Sequence, residues 1–463
     1  MIAESALQAF RASLRGQVVV PKDPEYDDAR RIHNAMIDRR PAAIVRCAGA
    51  ADVIAAVNSA RQNNLLVAVR GAGHNIAGTS LCDGGIVIDL SRMKSVRVDP
   101  ARGTARVEAG ATWADLNHEL QVFALAATGG YIGTTGVSGL TLGGGLGWMV
   151  RKHGLALDNL LSVDVVTADG RVLTASESEN VDLFWGVRGG GGNFGIVTSF
   201  EFKVHPAGII RAGLTMHPLT RAVSALRFWR EYERTAPEEV TNGALLFHPS
   251  AELPLPDVLH QEGIVGIGGV YCGSLDVGER ALRPLREFGP PTADTFDRIP
   301  YSQAQVMADF LWPPGRLNYW KSSYLKDLGD AAIDTIVARY AEVPSRRTIV
   351  VVEHNGDGAM NRVDEGATAF GHRRWPYNLL VTSIWESPAE SDANIRWTRD
   401  FFDAMQPFLA DGVYVNYLGD EGQERVRAAY GGKYDRLVAL KNTYDPTNFF
   451  RMNQNIRPTV HGS

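Results

Sequence analysis

The sequence predicts an α+β protein in which a second domain is inserted into the first. Short strand-like runs and amphipathic helices of mixed order occupy the first part of the chain. Glycine, with 48 residues, is concentrated in clusters at 71–85, 129–147 and 186–195. After Pro206 glycine becomes sparse, and longer helices and strands continue to about Pro407. Because 463 residues exceed one ordinary hydrophobic core, we expect two or three domains.

Periodicity and capping residues define the elements of the first part. Residues 50–62 have the spacing of an amphipathic helix, and the apolar run 65–69 predicts a strand after it. The runs 86–90 and 104–108 also predict strands. Thr112 is a favourable N-cap, which predicts a helix over 112–123.

The glycine-rich segments that follow are too ordered to be linkers. Residues 128–148 carry almost no charge and lie between ordered segments. Asp169-Gly170 predicts the turn of a hairpin over 162–174. The G-x-G-x-x-G pattern from Gly190 to Gly195 precedes a strand pattern over 196–204, whereas a Rossmann-type dinucleotide fold requires a helix at that point. We therefore reject the Rossmann fold.

The region from 208 to 407 alternates helices with apolar strands, which is typical of a second α+β domain. Helices are predicted at 219–234 and 391–405, and strands at 348–353 and 379–384. The tail then has a pattern of its own, with a helix-like run at 421–430.

Composition excludes several function classes. The formal charge of −5 argues against a nucleic-acid partner. Cys47, Cys82 and Cys272 are too far apart in the sequence to suggest zinc or disulfides, so no metal is predicted and a reducing compartment fits. Residues 1–20 contain no uninterrupted apolar core of the signal type, and no run is long enough to span a membrane. We expect a cytoplasmic protein with no membrane partner.

One loop near the start of the chain has the features of a ligand site. It follows the strand at 65–69, and Gly71 and Gly73 allow its backbone N–H groups to approach a ligand closely. Arg70 would supply charge for a phosphate, and His74 is placed where a ligand atom could touch it. The alternative is an ordinary glycine turn that carries a surface histidine.

Five motifs in order give the chain a family resemblance. They are Arg70-Gly71-Ala72-Gly73-His74, the Gly143–Asn159 segment, Asp182-Leu183-Phe184-Trp185 with its following glycines, Tyr414-Val415-Asn416-Tyr417, and Asp445-Pro446-Thr447-Asn448-Phe449-Phe450-Arg451. Together they resemble the berberine-bridge-enzyme-like branch of the FAD-linked oxidases, with the vanillyl-alcohol-oxidase (PCMH-type) fold. The resemblance implies an FAD-binding domain over 1–207 and 408–463. It also implies a substrate domain over 208–407, with an antiparallel sheet covered by helices.

The resemblance also implies how the cofactor is held. The histidine at the position of His74 bonds covalently to the 8α-methyl group of the flavin, and the alternative is a free histidine beside dissociable FAD. Many relatives carry a second, cysteinyl link at the position of Ile132, which has no nucleophilic atom. A single covalent link is therefore expected. At Thr135, a position that affects oxygen access in the family, threonine is similar in size to the valine of some relatives.

The cofactor contacts that the resemblance implies fall on small and polar residues: Arg70, Gly71, Ala72, Gly73, His74, Asn75, Gly78, Thr134, Thr135, Gly136, Ser138, Gly139, Gly143, Gly144, Gly145, Gly147, Ile196, Val197, Asn416, Asn453 and Asn455. For any single glycine the alternative is a packing surface, and for each asparagine it is a turn or cap.

The catalytic assignment follows from the same resemblance. Tyr417 matches the family's base or proton relay, and it would need a nearby cation or hydrogen bond to lower its pKa. Candidate cations are Arg373, Arg374 and Lys321; the alternative for Tyr417 is a packed aromatic residue. Some relatives carry a glutamate or glutamine where this chain has Leu380, and the absence of that polar group favours simple oxidation over ring closure.

The inserted domain also offers residues for a substrate face. The candidates are Trp312, Tyr319, Trp320, Lys321, Tyr324, His354 and His372, although the aromatic residues could equally be core. The two histidines are too isolated in the sequence to suggest a metal site.

The predicted function is an FAD-dependent oxidase. It would oxidise a small organic alcohol, amine or sugar by hydride transfer to flavin N5 and reduce O2 to H2O2. The alternatives are a flavin dehydrogenase with another electron acceptor, and a flavin-binding protein without turnover.

Overall fold

The computed structural model describes residues 4–459, so the outermost residues of the first and last predicted segments lie outside it. The α-helices, in chain order, are α1 Glu4–Ala12, α2 Tyr26–Ala29, α3 Ala50–Gln62, α4 Trp113–Gln121, α5 Val137–Gly143, α6 Val150–His153, α7 Val181–Val187, α8 Ala222–Glu233, α9 Asp257–Glu262, α10 Leu275–Glu287, α11 Tyr301–Ala304, α12 Asp330–Tyr340, α13 Ala359–Arg362, α14 Ser391–Met405, α15 Gln423–Tyr430 and α16 Tyr434–Tyr444.

The strands are β1 Gln17–Val19, β2 Ala43–Arg46, β3 Val67–Arg70, β4 Ile86–Asp89, β5 Val96–Asp99, β6 Thr104–Glu108, β7 Leu125–Ala126, β8 Leu160–Val166, β9 Val172–Ser176, β10 Ile196–Lys203, β11 His205–Pro206, β12 Ile209–Pro218, β13 Val240–Phe247, β14 Ile264–Tyr271, β15 Ala293–Asp294, β16 Asp297–Pro300, β17 Leu317–Leu325, β18 Ile349–His354 and β19 Tyr377–Trp385. The predicted α+β class is confirmed.

The first sheet has the strand order β1-β2-β4-β3, with β4 parallel to both of its neighbours. Helix α3 has the predicted bounds, and it buries Val53, Ala56, Val57 and Ala60 at helical spacing. The strand predicted at 65–69 is β3, which ends at Arg70. The loop that carries His74 therefore leaves the end of a parallel strand.

The second sheet is antiparallel, with the order β5-β6-β10-β8-β9. The predicted hairpin is β8–β9, and Gly170 in its turn has φ of +81°. Strand β10 directly follows the 190–195 glycines, so the rejection of a Rossmann fold is confirmed. Helix α4 begins after Thr112, whose side chain forms a capping box with Asp115.

The third sheet belongs to the region between 208 and 407. Its order is β15-β12-β14-β13-β18-β19-β17, all neighbours are antiparallel, and β16 also pairs with β12. A hydrophobic cluster that includes Leu226, Trp229, Ile333, Ile336 and Phe401 packs helices α8, α12 and α14 against one face of this sheet. The opposite face is free to form part of a site.

The largest hydrophobic cluster of the described residues joins the part of the chain before the third sheet to the tail after it. Phe200 of β10 belongs to the same cluster as Val413, Leu437 and Ile456 of the tail. This distribution agrees with a domain that resumes after an insertion, while the limits 1–207, 208–407 and 408–463 stay predictions. No helix between residues 4 and 459 has the length and apolar character needed to cross a bilayer.

A buried ion pair fixes the C-terminal segment. Lys441 and Asp445 have side chains that are 0% exposed, and Nζ lies 2.6 Å from Oδ2. Lys441 Nζ also donates to the carbonyl oxygens of Asn193 at 2.8 Å and Phe450 at 2.9 Å. Asp445 accepts hydrogen bonds from the backbone N–H groups of Phe449 and Phe450. The pair therefore connects α16, the tail and the 190–195 loop.

Candidate active site

A cavity of about 340 Å³ lies where these parts of the fold meet. One part of its wall is main chain and small side chains from 71–76, 135–143 and 191–197. Other parts come from the free face of the third sheet, the 414–417 turn and the tail at 450–454. The cavity is thus shared between the glycine-rich loops and the inserted sheet.

His74 lines this cavity beside a second histidine, His33. Their ring centroids are 4.2 Å apart, and His33 Nε2 lies 2.9 Å from the carbonyl oxygen of Trp312. Burial, with a smaller contribution from His33, lowers the pKa of His74 to about 3. The imidazole of His74 is therefore neutral at physiological pH and keeps a nucleophilic nitrogen. Sequence reasoning missed His33, which stands alone in its segment.

The Arg70 side chain, for which a phosphate contact is predicted, has hydrogen-bond partners within the protein. Nη2 of Arg70 lies 2.6 Å from Asp89 Oδ2, and Nη1 donates to the carbonyl oxygen of Ala29 at 2.7 Å. Arg70 and Asp89 are also directly paired in β3 and β4. The side chain is buried and does not line the cavity, and Asp89 neutralises its charge within the first sheet.

The predicted glycines separate into two groups. Gly139 and Gly192 line the cavity, and a Cβ added at either position would meet no protein atom within 4 Å. Packing within the protein therefore does not require glycine at these two positions. A ligand that fills the cavity would require it, because a side chain there would occupy the ligand's space. Gly71, Gly73, Gly136 and Gly143 line the cavity as well, together with Ala72, Asn75, Thr135, Ser138, Ile196, Val197, Asn416 and Asn453.

The second group of glycines packs closely against protein atoms, and their place at the cofactor stays a prediction. A Cβ at Gly147 would lie 1.6 Å from the carbonyl oxygen of Gly129, and one at Gly145 would collide with Ala156. Gly144 packs against aromatic rings, and Gly78 packs against Ile37. None of Gly78, Gly144, Gly145 and Gly147 is among the residues that line the cavity, and Thr134 and Asn455 are not either. Gly145 affects the cavity indirectly, because its N–H donates to the hydroxyl of Tyr414, which lines the cavity.

Tyr417 lies on the 415–417 turn and lines the cavity, as expected, but its partner is an acid. Its hydroxyl donates to Glu353 Oε1 at 2.9 Å. Glu353 Oε2 accepts from Asn378 Nδ2 at 2.8 Å, and Asn378 in turn accepts from the Ser322 hydroxyl. Burial raises the pKa of Glu353 to about 7, although the hydrogen bonds from Asn378, Tyr417 and Asn355 oppose this shift. A buried carboxyl with such a pKa is suited to proton transfer near neutral pH.

The three predicted cations do not act on Tyr417. Lys321 pairs with Glu421 at 2.6 Å, Arg373 pairs with Asp158 at 2.6 Å, and Arg374 lies over the ring of Trp375. Burial and the charge of Glu353 raise the pKa of Tyr417 well above its ordinary value. Tyr417 therefore keeps its proton near neutral pH, where the Glu353 carboxyl can lose its own. The sequence did contain a signal, since Glu353 is the one acid in the apolar strand 349–354.

Only part of the predicted substrate face reaches the cavity. Trp312 and Trp320 line it, and Leu380 adds the expected apolar surface. Tyr319, Lys321, Tyr324, His354 and His372 do not line it. His354 follows Glu353 on β18 and therefore points to the opposite face, where its Nδ1 lies 2.5 Å from Glu233. Ile132, the expected site of the missing second link, does line the cavity.

Comparison with known proteins places the chain among the FAD-linked oxidoreductases. The family model described as "FAD binding domain" matches residues 41–176, and the model described as "Berberine and berberine like" matches residues 413–457. The chain is 40% identical to the FAD-linked oxidoreductase pgmH of Aspergillus terreus, over 96% of this chain and 94% of that protein.

Two further similarities concern nicotine oxidases. The chain is 31% identical to (R)-6-hydroxynicotine oxidase of Paenarthrobacter nicotinovorans, over 98% of this chain and 99% of that protein. The crystal structure of 6-hydroxy-D-nicotine oxidase from Arthrobacter nicotinovorans superposes with a TM-score of 0.87 at 29% identity, over 96% of this chain and 98% of that one. The chain belongs to the berberine-bridge-enzyme-like family of FAD-linked oxidoreductases. The family resemblance and the fold predicted from the motifs are confirmed.

Proposed function

We propose that the protein is an oxidase that holds FAD through one covalent bond to His74 and oxidises a small organic alcohol, amine or sugar. The observation that carries the proposal is that one cavity holds both the neutral imidazole of His74 and the Glu353–Tyr417 pair. When bound, FAD supplies the acceptor for a hydride from the substrate carbon, and O2 then takes the two electrons to give H2O2. A single link is proposed because Ile132 has no nucleophilic atom.

The residues of this chain have separate roles in the proposed reaction. The main chain around Gly71, Gly73, Gly139 and Gly192 holds the cofactor without side chains in the way. Glu353 accepts the O–H or N–H proton of the substrate. Tyr417 donates a hydrogen bond to Glu353 and stabilises its charged form. Asn378 does the same from the neighbouring strand.

Anaerobic mixing tests this proposal directly. Candidate alcohols, amines and sugars are mixed with the purified protein, and bleaching of the flavin absorbance is followed. Oxygen is then admitted, and H2O2 is measured against the reduction of an artificial dye. The proposal expects bleaching by at least one class and stoichiometric H2O2. Fast dye reduction with negligible H2O2 would indicate the dehydrogenase, and the absence of bleaching by all classes would favour a flavin-binding protein without turnover.

Tyr417→Phe is expected to slow flavin reduction by about 10- to 100-fold, because it removes a hydrogen bond to a charged group. Since that bond lowers the pKa of Glu353, the inflection of the pH–rate profile should also move to higher pH. Stopped-flow reduction at several pH values measures both effects. Tyr319→Phe, outside the cavity, is the matched control. An unchanged rate and profile in Tyr417→Phe would remove this tyrosine from the mechanism.

A further inference from the structure

Glu353 stands in a row that crosses four strands of the third sheet. Gly268 pairs with Gly243, Gly243 pairs with Glu353, and Glu353 pairs with Asn378. Gly243, Gly268 and Glu353 all line the cavity. The carboxylate therefore has a hydrogen-bonding amide on one side and, on the other, two positions without side chains. Space for a substrate lies directly beside the acid.

The neighbouring rows of the same face are apolar. Leu245 pairs with Val351, Val351 pairs with Leu380, and all three line the cavity. Beyond them Thr382 pairs with Trp320, and the indole N–H of Trp312 donates to the Thr382 hydroxyl at 3.1 Å. This hydrogen bond fixes the position of Trp312 and satisfies its indole N–H. The face therefore has one charge at one end and a flat, apolar and aromatic surface beyond it.

The charges around this surface have one sign. No lysine or arginine occurs among the cavity-lining residues within the described part of the chain. Burial lowers the pKa values of His33 and His74, so both rings are neutral. The hydrogen-bond partners of Glu353 are Asn378, Tyr417 and Asn355, which are neutral as well. A buried carboxylate without a cationic partner is costly, and a cationic ligand would relieve that cost.

We infer that the substrate is an amine, bound as its ammonium ion, on a flat apolar body. The ammonium group would lie against Glu353, and the apolar body would lie over Gly243 and Gly268 beside Leu245, Trp312 and Trp320. Aromatic faces also attract cations, which adds to the preference. An anion would be repelled by the Glu353 carboxylate, since no lysine or arginine lines the cavity in the described part of the chain. The inference rests on the proposed function and narrows its substrate class.

The implied reaction balances for a secondary amine. The ammonium ion would lose one N–H proton to the Glu353 carboxylate, and the α-carbon would then lose its hydrogen with the bonding electron pair as a hydride, for which the FAD of the proposed function would be the acceptor. The substrate has then lost two electrons, and the product is an iminium ion. Water hydrolyses the iminium ion to a carbonyl compound and a smaller amine. O2 is the final oxidant, as in the proposed function.

Binding of a cation that cannot be oxidised tests the inference apart from turnover. Benzyltrimethylammonium and its neutral carbon isostere, neopentylbenzene, are titrated into the holoprotein, and the perturbation of the flavin spectrum and of tryptophan fluorescence is followed. We expect the cation to bind at least 10-fold more tightly. Glu353→Gln should reduce this ratio to within about twofold, whereas Glu252→Gln, the same change on an exposed turn, should leave it unchanged. Equal binding of the two ligands, or tighter binding of the neutral one, would overturn the inference.

A second variant keeps the test independent of Glu353. Trp320→Leu retains an apolar side chain but removes an aromatic face, and it should lower the cation preference several-fold. In turnover, N-methylbenzylamine should bleach the flavin with at least 10-fold higher efficiency than benzyl alcohol or a disaccharide. If only the alcohol or the sugar bleaches it, the amine inference fails while the oxidase proposal stands. If no compound bleaches it, the oxidase proposal fails, and the binding ratio alone decides whether the site selects cations.

Discussion

Glu353→Gln is expected to slow anaerobic flavin reduction by about 100- to 10,000-fold, the range typical of a lost general base. Glutamine keeps the size of the side chain and can still hydrogen bond to Asn378 and Tyr417, but it cannot accept the substrate proton. The fold and the flavin content should therefore be retained. Stopped-flow reduction with a substrate found by screening measures the effect, and Glu252→Gln is the control. A reduction rate within threefold of the unchanged protein would exclude Glu353 as the base.

The same residue predicts the pH dependence of the reaction. A base acts when it is deprotonated, and burial places the pKa of Glu353 at about 7. The reduction rate should therefore rise as pH increases through about 7 and level off above it. The titratable groups that interact with Glu353 are Tyr131, Tyr324, Tyr414 and Tyr417, and burial raises the pKa of each, so none loses its proton in this range. Glu353→Gln should abolish this inflection, and a rate that falls through the same range would contradict the assignment.

Lys441→Met is expected to lower the free energy of unfolding by about 3–5 kcal/mol, the usual cost of breaking a fully buried ion pair. The substitution leaves the Asp445 carboxylate buried without its counter-charge, and it frees the carbonyl groups of Asn193 and Phe450. Because Asn193 and Phe450 line the cavity, flavin retention should fall as well.

Denaturant titration of holoprotein measures the loss of stability in this variant. Lys94→Met is the control, since Lys94 pairs with Asp115 at the surface, where such pairs contribute less than about 1 kcal/mol. If both variants lost equally little stability, the buried pair would not be what holds the tail in place.

Much of the fold could be predicted because local rules determine it. Helices α3 and α14 and strand β6 have the predicted bounds, since each has clear periodicity. The N-cap at Thr112 and the turn at Asp169-Gly170 act through residues that are close in the sequence. The helix predicted over 219–234 begins as α8 only at Ala222, because residues 219–221 form a separate tight turn.

The site was harder to predict because its contacts join distant segments. Tyr417 and Glu353 are 64 positions apart, and only the fold decides that an acid, not a cation, meets the phenol. The charge of Arg70 pointed to a phosphate, but Asp89 on the adjacent parallel strand neutralises it. Likewise, a glycine that faces a ligand and a glycine that packs against backbone are alike in the sequence. Gly139 and Gly147 differ only in what surrounds them.

Acid precipitation of the purified protein, followed by mass mapping of its peptides, tests the central claim most directly. We predict a yellow pellet, the added mass of FAD on the peptide that contains His74, and no flavin on the peptide that contains Ile132. In the His74→Ala variant the pellet should be colourless, with any flavin in the supernatant. A colourless pellet from the unchanged protein, or flavin attached to another residue, would contradict the account.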